Sequence, residues 1–361
     1  MSSSELLWFL LGLAALVVGA EVLVRGASGL ARSLGVSSLV VGLTVVAFGT
    51  SAPELSISLL SLMKGQADLS VGNVVGSNIA NILLILGSSA LLAPLVVSRQ
   101  LVRFDVPIMI GASFLVLILS WNGRLDRWDG VILVLALLTY TAVLILIQKK
   151  EDEPRENPRN KSPIGKKSTQ AIVQVLMVLV GLVLLVFGAG WLVDSATSFA
   201  RWMGVSDLVI GLTVVAGGTS LPELATSLMA AMRGERDIAI GNVVGSCILN
   251  LLMVLGTASL VAAKGVDLNP ALLSFDLPVM IAVSVACLPI FFTDHLVARW
   301  EGVLFLGYYI AYVSYLVLSA SHHDSLPIFS GIMLAFVIPL TVITLAVLTT
   351  RAWKKQRRSS K

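Results

Sequence analysis

The chain has 361 residues, 57% of them hydrophobic and only 13% charged, with a net charge of +4 and a mean hydropathy of +0.93. That balance excludes a soluble globular domain, in which about a quarter of residues are charged. The basic residues flank apolar runs and no nucleic-acid motif accompanies them, so they read as topology signals in a lipid bilayer rather than as a site for an anionic partner.

Apolar runs of about 20 residues are long enough to cross a hydrocarbon core. They predict spans near 6–25, 37–63, 70–95, 104–121 and 129–148. Met1 to Glu5 lacks the positive segment of a signal peptide, so the first run is read as a mature helix. The polar stretch Lys149 to Gln170 is too short and too charged to be a domain. Five more spans follow near 171–193, 205–231, 239–263, 274–293 and 300–319, then an unpaired eleventh near 326–350 and the basic tail Arg351 to Lys361. Cys247 and Cys287 both lie in apolar runs, so free thiols are expected rather than a disulfide.

The chain repeats itself. Gly42-Leu-Thr-Val-Val-Ala47 returns as Gly211-Leu-Thr-Val-Val-Ala216, Gly49-Thr-Ser51 as Gly218-Thr-Ser220, and Pro53-Glu54-Leu55 as Pro222-Glu223-Leu224. Gly72-Asn-Val-Val-Gly-Ser77 returns as Gly241-Asn-Val-Val-Gly-Ser246, all at one offset of 169 positions. Weaker matches, such as Phe104-Asp-Val-Pro107 with Phe275-Asp-Leu-Pro278, extend the duplication to whole five-span halves. An odd number of spans forces the second half to enter from the opposite side, which makes an inverted repeat.

The expected fold is therefore an all-α polytopic membrane protein: two inverted five-helix repeats forming a ten-helix core, plus an eleventh C-terminal helix. The units are residues 1–148, a cytoplasmic linker at 149–170, residues 171–320, and the extra helix with its tail at 321–361. With the N-terminus outside, 20 Lys and Arg residues fall on the cytoplasmic side and 5 outside. The positive-inside rule thus favours an external N-terminus and a cytoplasmic C-terminus.

Glu54 and Glu223 lie within membrane spans at equivalent repeat positions. A charge at that depth costs about 2.5–3.5 kcal/mol on insertion scales, so it faces a partner or a wet cavity. Pro53 and Pro222 cannot donate to the carbonyls of Gly49 and Gly218, and freed carbonyls are tolerated only where they line a cavity or meet an ion. Thr50 and Glu54, spaced i, i+4, are expected on one helix face, as are Thr219 and Glu223. The next span offers Asn73, Ser77 and Asn81 in steps of four, matched by Asn242, Ser246 and Asn250. Gly72 with Gly76, and Gly241 with Gly245, are spaced for close helix approach. Carboxylate, amide, hydroxyl and carbonyl oxygens without His or thiolate form a hard-cation ligand set, suited to Ca²⁺, Na⁺ or Mg²⁺. A site that cannot cross the membrane empty and charged enforces exchange.

These duplicated motifs resemble the paired α-repeats of the sodium/calcium exchanger family, within the cation/calcium exchanger superfamily, over roughly residues 6–320. The resemblance implies alternating access by a ten-helix core with no covalently bound cofactor. It implies a central Ca²⁺ site built from Glu54 and Glu223 with Thr50 and Thr219, completed by Asn81 and Asn250. It also implies flanking Na⁺ sites that use Ser51, Ser77, Ser220 and Ser246, with carbonyls near Ala47 and Ala216. Some family members carry an acidic residue at the place of Asn81 or Asn250, and Cys247 stands where the first repeat has Asn78. The linker is too short for the regulatory domain of animal relatives, in keeping with a prokaryotic inner membrane.

Export of Ca²⁺ driven by Na⁺ entry is the expected activity. Ca²⁺/H⁺ exchange stays open, because glutamates also carry protons, and a cation channel is the rival of a different class. An intramembrane enzyme is disfavoured, since no nucleophile or His-rich motif accompanies the glutamates. Asp105 and Asp276, just before Pro107 and Pro278, are read as helix N-caps. His322-His323-Asp324 is read as a solvated turn.

Overall fold

In the computed structural model, ten helices among the described residues (3–152, 164–204, 216–262, 265–293, 295–321 and 323–359) are long and apolar enough to cross a bilayer. They are α1 (Ser3–Leu34), α2 (Ser38–Met63), α3 (Ala67–Leu92), α4 (Leu101–Leu119), α5 (Arg127–Asp152) and α6 (Ile164–Trp202). After α7 (Leu221–Met232) come α8 (Arg236–Val261), α9 (Leu272–Phe292), α10 (Arg299–Ala320) and α11 (Leu326–Val347). The span expected at 205–231 is thus seen only in its second part, because residues 205–215 lie outside those described. Much of the linker, 153–163, does too.

Most predicted boundaries hold to within a few residues. Two do not: α1 continues to Leu34 and α6 to Trp202. The apolar run ends before the helix does, because Glu21, Arg25 and Arg201 are helix-compatible residues that carry the backbone on beyond the apolar stretch.

α3 and α8, which carry the Asn-Ser-Asn stripes, form the centre. The best apolar window of α8 is 100% buried and that of α3 78%, against 6% for α10 and none for α11, which places the last two on the outside. Glycine at α2 and α8 permits the closest contact: a Cβ on Gly241 would sit 2.9 Å from the Leu39 carbonyl oxygen, and one on Gly245 2.6 Å from that of Leu43. α1 and α6 cross as tightly, with a Cβ on Gly181 meeting the Leu23 backbone nitrogen at 2.7 Å. A Cβ on Gly72 or Gly76 would have no described atom within 4 Å. The segment equivalent to the one that Gly241 and Gly245 touch falls at 205–215.

Four two-residue strands report the inversion directly. β1 (Leu95–Val96), after α3, pairs antiparallel with β4 (Leu296–Val297), after α9. β2 (Arg124–Leu125), after α4, pairs with β3 (Val266–Asp267), after α8. β1 and β3 are equivalent in the two repeats, as are β2 and β4, yet each pairs with the other kind. Equivalent loops therefore lie on opposite faces of the molecule, as an inverted repeat requires.

Within the helices, π-helical turns recur at matching places: Asn81–Leu86 with Asn250–Val254, and Leu101–Asp105 with Leu272–Asp276. These turns correct the N-cap reading of Asp105 and Asp276. Both residues already have helical backbone angles, because each closes a π turn, and neither side chain caps a helix. Instead the Tyr140 hydroxyl donates to Asp105 Oδ1 at 3.0 Å and the Tyr312 hydroxyl to Asp276 Oδ1 at 2.8 Å. Both cysteines are free and buried, as expected. In the loop before α11, His323 Nδ1 accepts from the Ser325 N–H at 3.1 Å, in keeping with a turn, while His322 lies outside the described residues.

Candidate ion-binding site

Proline sets the local geometry. α2 is interrupted at Ser51 (φ −80°, ψ 2°), which separates Ala47–Thr50 from Ala52–Met63. The second repeat breaks identically at Ser220 (φ −86°, ψ 5°), between Ala216–Gly218 and Leu221–Met232. Pro53 and Pro222 occupy the first turn of the second piece, where the missing N–H costs nothing. Glu54 and Glu223 follow in that same turn, at the positive end of the helix dipole. The break also corrects an expectation. Thr50 and Glu54 stand on separate helical pieces, so their i, i+4 spacing does not give them one continuous face.

Thr50 instead reaches across the pseudo-two-fold axis. Its hydroxyl donates to Asn242 Oδ1 at 3.1 Å, and the Thr219 hydroxyl donates to Asn73 Oδ1 at 3.3 Å. Each of these asparagines is braced from its own half. Asn73 Nδ2 donates to the Glu54 carbonyl (3.3 Å) and to Ser58 Oγ (3.2 Å). Asn242 Nδ2 donates to the Glu223 carbonyl (3.4 Å) and to Ser227 Oγ (3.0 Å). Every amide hydrogen-bonding group named here has a partner, so the two broken helices are tied to α3 and α8 and to each other.

The serines depart from this symmetry. Glu54 Oε1 accepts from Ser77 Oγ at 3.4 Å, whereas Glu223 Oε1 accepts from Ser51 Oγ at 3.5 Å. Ser220 Oγ donates to Ser77 Oγ at 3.3 Å. The Ala47 carbonyl accepts from the Ser51 N–H at 3.0 Å and lies 3.4 Å from the Thr50 hydroxyl. Ala216 opens the short helical piece before the second break.

Some oxygens are left over. Glu54 Oε2, Glu223 Oε2, Asn81 Oδ1, Asn250 Oδ1 and Ser246 Oγ are buried without a hydrogen-bond partner among the described residues. All five belong to residues at most 2% exposed. A buried oxygen without a partner costs about 1–3 kcal/mol, more when charged. Carboxylate, amide and hydroxyl oxygens, here drawn from both repeats, are the donor types that a hard cation takes. No group of three or more His, Cys, Asp or Glu occurs among the described residues, so the charge of the set rests on its two glutamates.

Of the sequence-derived candidates, Glu54, Glu223, Thr50, Thr219, Ser51, Ser77 and Ser220 join this hydrogen-bonded cluster, and Ser246, Asn81 and Asn250 contribute the unpaired atoms. Four residues carry more than the sequence assigned to them. Asn73 and Asn242 are the braces between halves, and Ser58 and Ser227 support them. The signal for the serines was present, since they share the 169-residue offset and sit four residues after each glutamate.

Residues 4–146 and 173–318 match the family model described as sodium/calcium exchanger protein. The chain belongs to the sodium/calcium exchanger family and is an integral membrane protein. Among its relatives, the inner membrane protein YrbG of Escherichia coli (strain K12) is 34% identical over 254 residues, 70% of this chain and 78% of YrbG. The sodium/calcium exchanger MaX1 of Methanosarcina acetivorans is 33% identical over 346 residues, covering 87% of this chain and 98% of MaX1. A solved structure of the sodium-calcium exchanger NCX_Mj, soaked with zero Na⁺ and Ca²⁺, superposes with a TM-score of 0.75 at 30% identity. That match covers 88% of this chain and 100% of the NCX_Mj chain. The family match stops at residue 318, which leaves α11 outside the matched region.

Proposed function

We propose that the protein is a secondary antiporter that exports Ca²⁺ in exchange for Na⁺ entering down its gradient. The observation that carries this reading is the pair Glu54 and Glu223, equivalent in the two repeats, each with one buried, unpaired carboxylate oxygen beside unpaired amide and hydroxyl oxygens. The names of MaX1 and of NCX_Mj, a sodium/calcium and a sodium-calcium exchanger, support the same reading.

In this account Ca²⁺ sits between the two glutamates, with Thr50, Thr219, Asn81 and Asn250 around it. Na⁺ sits to either side, on Ser51, Ser77, Ser220 and Ser246 with the Ala47 and Ala216 carbonyls. Two ionised carboxylates are neutralised by one Ca²⁺ or by monovalent ions, and the bare site carries a net negative charge through a low-dielectric interior. Crossing empty is therefore costly, and crossing loaded with either ion type is not. Occupied by one, the site has no oxygens left for the other, which couples the two fluxes. The excess of Lys and Arg on one side of the spans supports an external N-terminus and a cytoplasmic C-terminus, and the name of the relative YrbG, an inner membrane protein, supports a prokaryotic inner membrane.

Substitution of either glutamate tests the site. Glu54→Gln and Glu223→Gln keep the shape and remove one charge, and a hydrogen bond or ion contact to a charged group contributes about 1.5–3 kcal/mol. Na⁺-driven ⁴⁵Ca²⁺ uptake by each variant in proteoliposomes is expected to fall at least tenfold, to near background (about 1.4 kcal/mol per decade). Near-normal uptake by both would refute the assignment.

A further inference from the structure

The two halves hold their last asparagine differently. Asn78 and Cys247 occupy equivalent positions, 169 residues apart, and each precedes a candidate ligand by three residues, Asn81 and Asn250. We propose that Asn78 is a positioning residue of the cation site, which turns the Asn250 amide so that its oxygen meets the ion, while Cys247 leaves Asn81 without that guidance. The inference rests on the reading that Asn81 and Asn250 contact Ca²⁺.

The direction of the hydrogen bonds is forced from one end. The Cys247 carbonyl can only accept, so the Asn78 group facing it at 3.3 Å is the NH₂. Met280 Sδ, a weak acceptor, contacts the same NH₂ at 3.7 Å. Asn78 Oδ1 then faces the other way and accepts from Asn250 Nδ2 at 3.2 Å. What remains of Asn250 is Oδ1, buried and without a partner among the described residues. An amide turned the other way would present its NH₂ and repel a cation. The root carbonyl on α8 thus decides, through Asn78 on α3, which atom of Asn250 is offered.

The second repeat supplies no such chain. The Cys247 thiol donates to the Asn78 carbonyl at 3.9 Å. A thiol is a weak acceptor, so the Asn81 amide has only a weak contact with the Cys247 sulfur, and neither its nitrogen nor its oxygen finds a stronger partner among the described residues. Two amides at matching positions are therefore unequal. Asn250 is preset, and Asn81 turns onto whichever ion is present.

The test compares Asn78→Cys, which copies the residue that the second repeat already holds at this place, in two backgrounds. One is the wild-type chain, and the other carries Asn250→Asp, whose carboxylate presents an oxygen whichever way it turns. Equilibrium ⁴⁵Ca²⁺ binding to the purified full chain is measured beside Na⁺-driven uptake. Loss of one orienting bond of about 1 kcal/mol predicts a Kd and KM raised roughly five- to tenfold in the Asn250 background, with the maximal rate within about twofold of wild type. In the Asn250→Asp background the same substitution is expected to change Kd by less than about twofold, a non-additivity that packing alone does not produce. An equal rise in both backgrounds, or an unchanged Kd in the first, would overturn the proposal. Cys247→Asn gives Asn81 the missing acceptor and is expected to tighten binding, which a damaged fold cannot do; unchanged or weaker binding at a wild-type melting temperature would contradict it. Wild-type protein that binds Ca²⁺ yet fails to exchange it for Na⁺ would overturn the antiporter reading alone, because the Kd comparison still judges Asn78.

Discussion

Asn242 satisfies three partners with one side chain: the Glu223 carbonyl, Ser227 Oγ and the Thr50 hydroxyl. Two of these belong to its own repeat and one to the other, so the residue joins the halves at the depth of the ions. Asn242→Ala removes one contact to a carbonyl and the partner of two buried hydroxyls, and each group left unsatisfied costs about 1–3 kcal/mol. A lowered melting temperature in detergent, together with a raised KM for Ca²⁺, is the expected outcome. A change in neither would remove Asn242 from the account. At this scale the sequence gives residue types and faces well. The stripe Asn73, Ser77, Asn81 is real because α3 is unbroken α-helix as far as Asn81, where the π turn begins. The Thr50–Glu54 pairing is not, because spacing is counted along one helix and the break at Ser51 makes two. Which partner Thr50 finds across the axis was not legible, since the contact spans 192 positions.

Among the elements, α2 and α8 depend on glycine to meet. A Cβ on Gly245 would lie 2.6 Å from the Leu43 carbonyl oxygen and 2.8 Å from the Ala47 side chain. Gly307, on the outward-lying α10, has no described atom within 4 Å of the same position. Gly245→Ala therefore forces a backbone shift, and overpacking of this kind costs about 1–3 kcal/mol. Gly307→Ala relieves backbone entropy and is expected to stabilise by roughly 0.5–1 kcal/mol. Thermal unfolding of the two purified variants should move in opposite directions; a common direction would contradict the packing described for α2 and α8. The small-xxx-small spacing pointed to this contact from sequence. The π turns were not legible, because the insertion of one extra residue per turn leaves hydropathy unchanged. Their cost was the misreading of Asp105 and Asp276, whose real partners are tyrosines one helix further on. The ion pair of Arg233 with Glu21 and the bond of Ser28 to Glu235 were likewise hidden, because they join residues more than 200 positions apart.

For the whole molecule, inversion was the most legible property. A duplication of five spans each can only enter from opposite sides, and the crossed strand pairs β1–β4 and β2–β3 carry the same fact in three dimensions. α11 has no counterpart in the repeat and lies outside the family match, so exchange should be a property of the ten-span core. The central claim, that this core couples Ca²⁺ to Na⁺, is tested most directly by ⁴⁵Ca²⁺ uptake into proteoliposomes loaded with Na⁺ and diluted into Na⁺-free buffer. Uptake that follows the Na⁺ gradient, and persists when any pH gradient is collapsed, is the predicted result. Uptake that ignores Na⁺ and follows the pH gradient would contradict the coupling while keeping the fold and its two glutamates.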